Sequence, residues 1–265
     1  MFQYQNVAGE RSVAISLVAA RRWARGGYVQ LGYQWSRALE RFAINANSAP
    51  RSYQSVPIDG TMEERRLSRS TFDVPHSLTA VASGPVVGGV VATVVLSAQS
   101  GRPYAYVVRG DANADSVPNN DLFYVPRDSA DLSLTNPAGW AALDEWIASE
   151  PCVARQRGRV MRRNSCRNPG FLTLDLRLAR PFRMRGLGVV ELAVDLFNLP
   201  NLLDGSWGLF RETTSREGLP VVTLAGFDAS ADRPRYTIPT VLPARGGVVS
   251  DLSRWRLQLG GRYRL

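Results

Sequence analysis

The sequence predicts an all-β chain: about seven antiparallel strands of a membrane-crossing β-barrel segment, with short turns at one end and long loops at the other. Three observations carry this expectation. Apolar and polar residues alternate with period two in one segment after another. The connections between these segments are alternately tight and long. Full charges also stand at the polar positions inside the strands, beside rows of leucine and valine. Successive side chains of a strand point to opposite faces, so each segment has one apolar and one polar face. In a barrel with a wet interior the charges meet water and the leucines meet lipid.

The first strand lies near 12–20, where Val13, Ile15, Leu17 and Ala19 oppose Ala14, Ser16 and Val18. Arg25-Gly26-Gly27 is a tight glycine turn. It leads to Val29, Leu31, Tyr33 and Trp35 against Gln30, Gly32 and Gln34. A polar stretch over 42–71 follows. The third segment, 72–84, alternates less clearly, with Leu78, Ala80 and Ala82 opposite Ser77, Thr79 and Ser83. Val87-Gly88-Gly89 turns the chain into the fourth, where Ala92, Val94, Leu96 and Ala98 oppose Thr93, Ser97 and Gln99. A second polar stretch spans 106–169.

In the fifth strand, 171–182, Leu172, Leu174, Leu176 and Leu178 oppose Thr173, Asp175 and Arg177. After the turn Arg185-Gly186-Leu187-Gly188, the sixth sets Val190, Leu192, Val194 and Leu196 against Glu191, Ala193 and Asp195. A third long stretch, 200–253, precedes the last strand, with Trp255, Leu257 and Leu259 against Arg254, Arg256, Gln258 and Arg262. The lipid-facing set is therefore Leu172, Leu174, Leu176, Leu192, Val194, Leu257 and Leu259. The lumen-facing set is Asp175, Arg177, Glu191, Asp195, Arg254, Arg256 and Gln258. Trp35, Trp255 and Tyr263 fall toward strand ends, where aromatic girdles meet the membrane interfaces.

Composition removes several classes. The longest near-apolar run, 85–96, is short of the roughly 20 residues a membrane-spanning helix needs. The net charge of +9 comes from arginine without any lysine. Those arginines are spread along the chain among acids rather than gathered in a stripe, which argues against nucleic acid as a partner. A soluble β-sandwich has the same alternation and stays open as a competing fold, here one that binds an acidic partner. Against it stand loops longer than the roughly 12–15 structureless residues of compact soluble domains.

If the final strand ends in the periplasm, all three glycine turns fall on the periplasmic side and all three long loops outside. The start of the chain lacks an export signal, and seven is an odd count where single-chain bacterial barrels use even ones. The expectation is one domain over 1–265 that forms the C-terminal part of a longer barrel in the cell outer membrane. One further strand near 2–7 would instead make eight and a complete small barrel, a passive pore or an adhesin.

A set of short pieces in fixed order sharpens this. They are Tyr33-Gln34-Trp35-Ser36-Arg37-Ala38, the run Thr71 to Leu78, Ser100-Gly101-Arg102-Pro103-Tyr104, Gly110-Asp111-Ala112-Asn113-Ala114-Asp115 with Asn119-Asn120-Asp121, Arg163 to Pro169, and Asp195-Leu196-Phe197-Asn198-Leu199-Pro200-Asn201. In that order the chain resembles the C-terminal third of TonB-dependent outer-membrane receptors, of the kind with a carboxypeptidase-regulatory-like N-terminal domain. The resemblance implies a plugged barrel of about 22 strands. It implies uptake of a scarce or bulky ligand such as an iron chelate, a cobalamin, a glycan or a peptide. It also implies energy from an inner-membrane complex, delivered through a motif ahead of the plug. Plug and motif have no counterpart in 1–265, so those partners would act through other parts of the receptor. The last residue is Leu265 where such barrels end on an aromatic.

Candidate chemistry is sparse. Asp111, Asn113, Asp115 and Asp121 could supply oxygen ligands to calcium. The sixth and twelfth positions hold Ser116 and Leu122 rather than Gly and Glu, so the loop is not an EF-hand; turn formation by Asp and Asn is the alternative. Cys152 and Cys166 lack zinc spacing and, on an oxidising side, are expected to form a disulfide that closes a loop worth roughly 3 kcal/mol. It would clamp the arginine-rich segment 155–163, read here as a solvated loop, with an anionic ligand as the alternative. Trp140, Leu143 and Ile147 have helical spacing after Asn136-Pro137. Nothing places a nucleophile and an acid around His76, so no enzyme is expected.

Overall fold

The computed structural model describes residues 8–43, 48–61, 64–186, 188–213 and 218–265. The strand expected near 2–7 and Leu187 lie outside them. Seven long strands form one antiparallel sheet: β1 (Arg11–Arg22), β2 (Tyr28–Glu40), β3 (His76–Pro85), β4 (Val91–Gln99), β5 (Phe171–Met184), β6 (Gly188–Phe197) and β7 (Arg256–Arg264). They pair in chain order, and β1 and β7 are the two edges of an open sheet. The two-residue strand Ser68–Arg69 adds to the end of β2.

The glycine turns do what tight turns require. Trp23 N donates to Gly27 O and Gly26 N to Trp23 O, with Gly26 at φ 84°, a region that suits glycine. The three short turns share one end of the sheet, and the three long loops rise from the other.

Two strand starts differ from the expectation. β3 begins at His76, not 72, because the residues before it fold back on β2. Asp73 Oδ1 accepts from Ala38 N at 2.9 Å, and Ser36 Oγ donates to Val74 O at 2.7 Å. β7 begins at Arg256 because Ser250–Ser253 forms a helical turn, with Arg254 N donating to Ser250 O at 3.1 Å. Arg254 and Trp255 therefore precede the ladder.

The larger departure is in the loops. The stretches 106–169 and 200–253, read as polar, build a packed cap. A five-stranded sheet runs in the order Cys166–Arg167, Pro103–Arg109, Gly218–Asp228, Arg233–Thr237, Ser133–Leu134. The Pro103–Arg109 strand lies parallel to Gly218–Asp228, so two different loops are joined within one sheet. Tyr104, Ala105, Tyr106, Val107 and Val108 are all buried there. A strand covered on both faces shows no alternation, which hides it from a period-two search. The Trp140–Ala148 helix forms where its spacing predicts and buries Leu143, Trp146 and Ile147. The Trp146 ring meets Tyr106 edge-on at 4.8 Å between centroids.

Candidate functional site

Strand register joins the apolar positions into rows that cross the sheet. One row runs Val29, Ala82, Val94, Leu176, Leu196, Leu257. The next two toward the loops are Leu31, Ala80, Leu96, Leu174 and Tyr33, Leu78, Ala98, Leu172. This face is uncovered: Leu172 is 44% exposed, Leu192 53%, Leu257 55% and Leu259 74%. Val194 is exposed as well, while Leu174 and Leu176 are half-buried among their neighbours. None of the seven joins a buried core cluster.

The opposite face carries the polar rows. Direct partners in one row are Arg22, Tyr28, Ser83, Thr93, Arg177, Asp195 and Gln258. Arg177 Nη1 donates to Asp195 at 2.9 Å, and its Nη2 lies 3.4 Å from Glu191. Asp175 Oδ1 accepts from Asn198 N at 2.8 Å. Asn198 stands at φ 54°, ends β6, and donates its amide to Gly208 O and Ser253 O. The Asp195–Asn201 segment thus ties the third loop to the rim of the sheet. Arg256 lies over the Phe197 ring at 5.7 Å. Arg254, expected in this face, sits ahead of β7 and outside the row.

Buried charge fastens the cap to the sheet. Arg163, with a fully buried side chain, reaches Glu40 at 2.8 Å. Glu40 also accepts from Ser70 Oγ at 2.6 Å and Thr71 N at 3.2 Å. Arg167 pairs with the buried Asp73, and Arg157 with Asp144 at 2.6 Å. The solvated reading of the arginine-rich loop holds for Arg155, Arg159 and Arg162, which are exposed, and fails for Arg163, whose buried charge demands a partner distant in sequence.

The structure gathers Asp111, Asn113, Asp115 and Asp121 in one loop. Asp111 accepts from Asp115 N at 3.1 Å and Ser116 N at 2.8 Å. Asp121 Oδ2 accepts from Ala112 N at 2.6 Å, and Asp115 accepts from the Tyr53 hydroxyl at 2.7 Å. Burial pushes the Asp121 carboxyl up; backbone N–H bonds from Ala112 and Asn113 oppose this, and the charges of Asp115 and Asp111 add to it. Among the described residues no three His, Cys, Asp or Glu side chains are arranged to hold a metal ion. Side-chain acceptance of backbone N–H groups accounts for this acidic pattern as turn chemistry.

Cys152 and Cys166 are joined by a disulfide with Cα atoms 5.3 Å apart. It links the helical turn Pro151–Ala154 to the strand beside Pro103–Arg109. His76 is exposed on the apolar face, its Nδ1 2.7 Å from the Tyr33 hydroxyl.

A family model described as an outer membrane beta barrel domain matches residues 3–204, which include β1 to β6. No curated protein and no solved structure matches the chain. The uncovered apolar rows, the charged rows behind them and the matched span agree: the chain belongs to the outer membrane beta barrel domain family, and its place is the cell outer membrane, in contact with the lipid bilayer.

Proposed function

We propose that this chain forms part of the barrel wall and the outer cap of a TonB-dependent receptor that takes up a scarce or bulky ligand. Leu172, Leu174, Leu176, Leu192, Val194, Leu257 and Leu259 face hydrocarbon. Asp175, Arg177, Glu191, Asp195, Arg256 and Gln258 line a hydrated interior. The end with three long loops faces outward, and the glycine turns face the periplasm. A plug and an energy-transducing inner-membrane complex are its partners through other parts of the receptor; catalysis has no role.

The observation that carries this reading is the cap. Two loops share one sheet and one core, locked to the wall by Arg163–Glu40 and Arg167–Asp73. A receptor gains from a preformed surface, because ordering loops at the moment of binding costs free energy. The edges support a wide barrel: among the described residues β1 and β7 each present an unpaired side, and hydrocarbon tolerates no open sheet edge.

The test is purification, from native outer membranes, of the polypeptide that carries this sequence. A receptor runs well above the 29.1 kDa of these residues, and its ligand uptake stops when a protonophore collapses the inner-membrane gradient. A 29.1 kDa species that conducts ions steadily in planar bilayers would overturn the proposal in favour of a passive pore.

A further inference from the structure

At the loop-side margin of the apolar face lies a groove of about 530 Å³ between the ends of β2, β3, β4 and β5 and the base of the cap. Its floor is apolar: Leu78, Ala98 and Leu172, with Tyr33 beside them. These are one transverse row of the face described above, so the groove continues directly into the bilayer-facing surface. Its upper rim is polar, formed by His76, Ser100 and Arg167.

The chemistry of that rim is that of a donor set. Tyr33 holds His76 Nδ1 at 2.7 Å. When the phenol donates, the imidazole proton sits on Nε2, which becomes a donor. Arg167 is fixed by Asp73 and by the Gly101 carbonyl at 2.8 Å, so its guanidinium is pre-positioned. Asp73 is buried and paired with that guanidinium, which neutralises the acid closest to the rim.

We propose that this groove holds one phosphate-bearing lipid of the outer leaflet, with an acyl chain along Leu78, Ala98 and Leu172 and its phosphate at His76, Ser100 and Arg167. The assignment rests on the outward orientation of the loops proposed above. Continuity with the bilayer-facing row selects a membrane lipid over a soluble ligand. The mixed lining, apolar below and donating above, selects an amphiphile over a plain hydrocarbon chain.

The experiment uses the full-length membrane protein, extracted in a neutral detergent and washed. Native mass spectrometry counts retained lipids, and a fluorescent phosphorylated lipid A is then titrated. The wild type retains one phosphorylated lipid per chain and binds the probe. Ala98→Phe fills the floor and His76→Gln removes an imidazole donor; each weakens probe binding about tenfold, while heat-modifiable gel mobility shows an intact barrel. Dephosphorylated lipid A competes poorly, and so does inorganic phosphate.

Equal retention in wild type and both variants would reduce the groove to ordinary annular contact and overturn the proposal. Displacement by inorganic phosphate alone would make it a small-anion site and overturn it too. Protease accessibility of the loops in intact cells reports orientation separately. Loops cleaved only from the periplasm would sink the orientation, whereas loops cleaved from outside with no retained lipid would sink the groove alone.

Discussion

Single residues decide how the cap is held. Glu40→Ala removes an acid that pairs with the buried Arg163 guanidinium, and loss of one partner of a buried pair costs about 3–5 kcal/mol. Denaturation followed by proteolysis of 100–170 should show the cap opening at lower urea, whereas truncation of the exposed Arg66 should change little. Buried phenols set an alkaline limit. Burial pushes the Tyr236 hydroxyl up to about 12, with the Asp121 charge adding to it, and burial raises Tyr106 as well. Unfolded tyrosines ionise near 10. The folded cap keeps Tyr236 and Tyr106 protonated beyond that point, so its stability is intact below about pH 10 and falls as pH rises toward 12. Phenolate absorbance and tryptophan fluorescence should change together across that window; ionisation of all tyrosines near pH 10 in a still-folded cap would contradict it.

At the scale of elements, the two faces of β5 should respond in opposite ways. Leu174→Arg puts a charge among the exposed apolar rows, where a midplane arginine costs about 2–4 kcal/mol, and should impair outer-membrane assembly. Thr173→Arg, on the polar face, should assemble normally; heat-modifiable gel mobility measures both. Replacing Cys152 and Cys166 by serine releases a closed loop worth about 3 kcal/mol and should speed proteolysis between the helical turn 151–154 and the strand 166–167. The wall strands were legible because each is covered on neither or one face, so Leu172 to Leu178 alternate with Thr173 to Arg177. The strand Pro103–Arg109 was not, because Tyr104 to Val108 are buried on both sides and carry no period. Buried charges were equally hidden: Glu40 and Arg163 are 123 residues apart and look like ordinary surface residues until topology brings them together. Arg177 and Asp195 pair on the polar face, whereas Arg254 stands just ahead of β7, since the helical turn Ser250–Ser253 gives no apolar signal.

At the scale of the molecule, cap and wall are different materials joined by polar contacts. The cap has an apolar centre of its own, and the wall has an uncovered apolar face. Heating in detergent should therefore give two transitions, with Trp146 fluorescence changing before gel mobility reports loss of the wall; one coincident transition would show the junction to be as cohesive as either part. The parallel pairing of Pro103–Arg109 with Gly218–Asp228 has a mechanical consequence. Neither loop can swing alone without tearing a ladder from its neighbour. Any movement of one must carry the other with it as one stiff plate held at its base by the charged fasteners, in the manner of a hatch rather than of separate flaps.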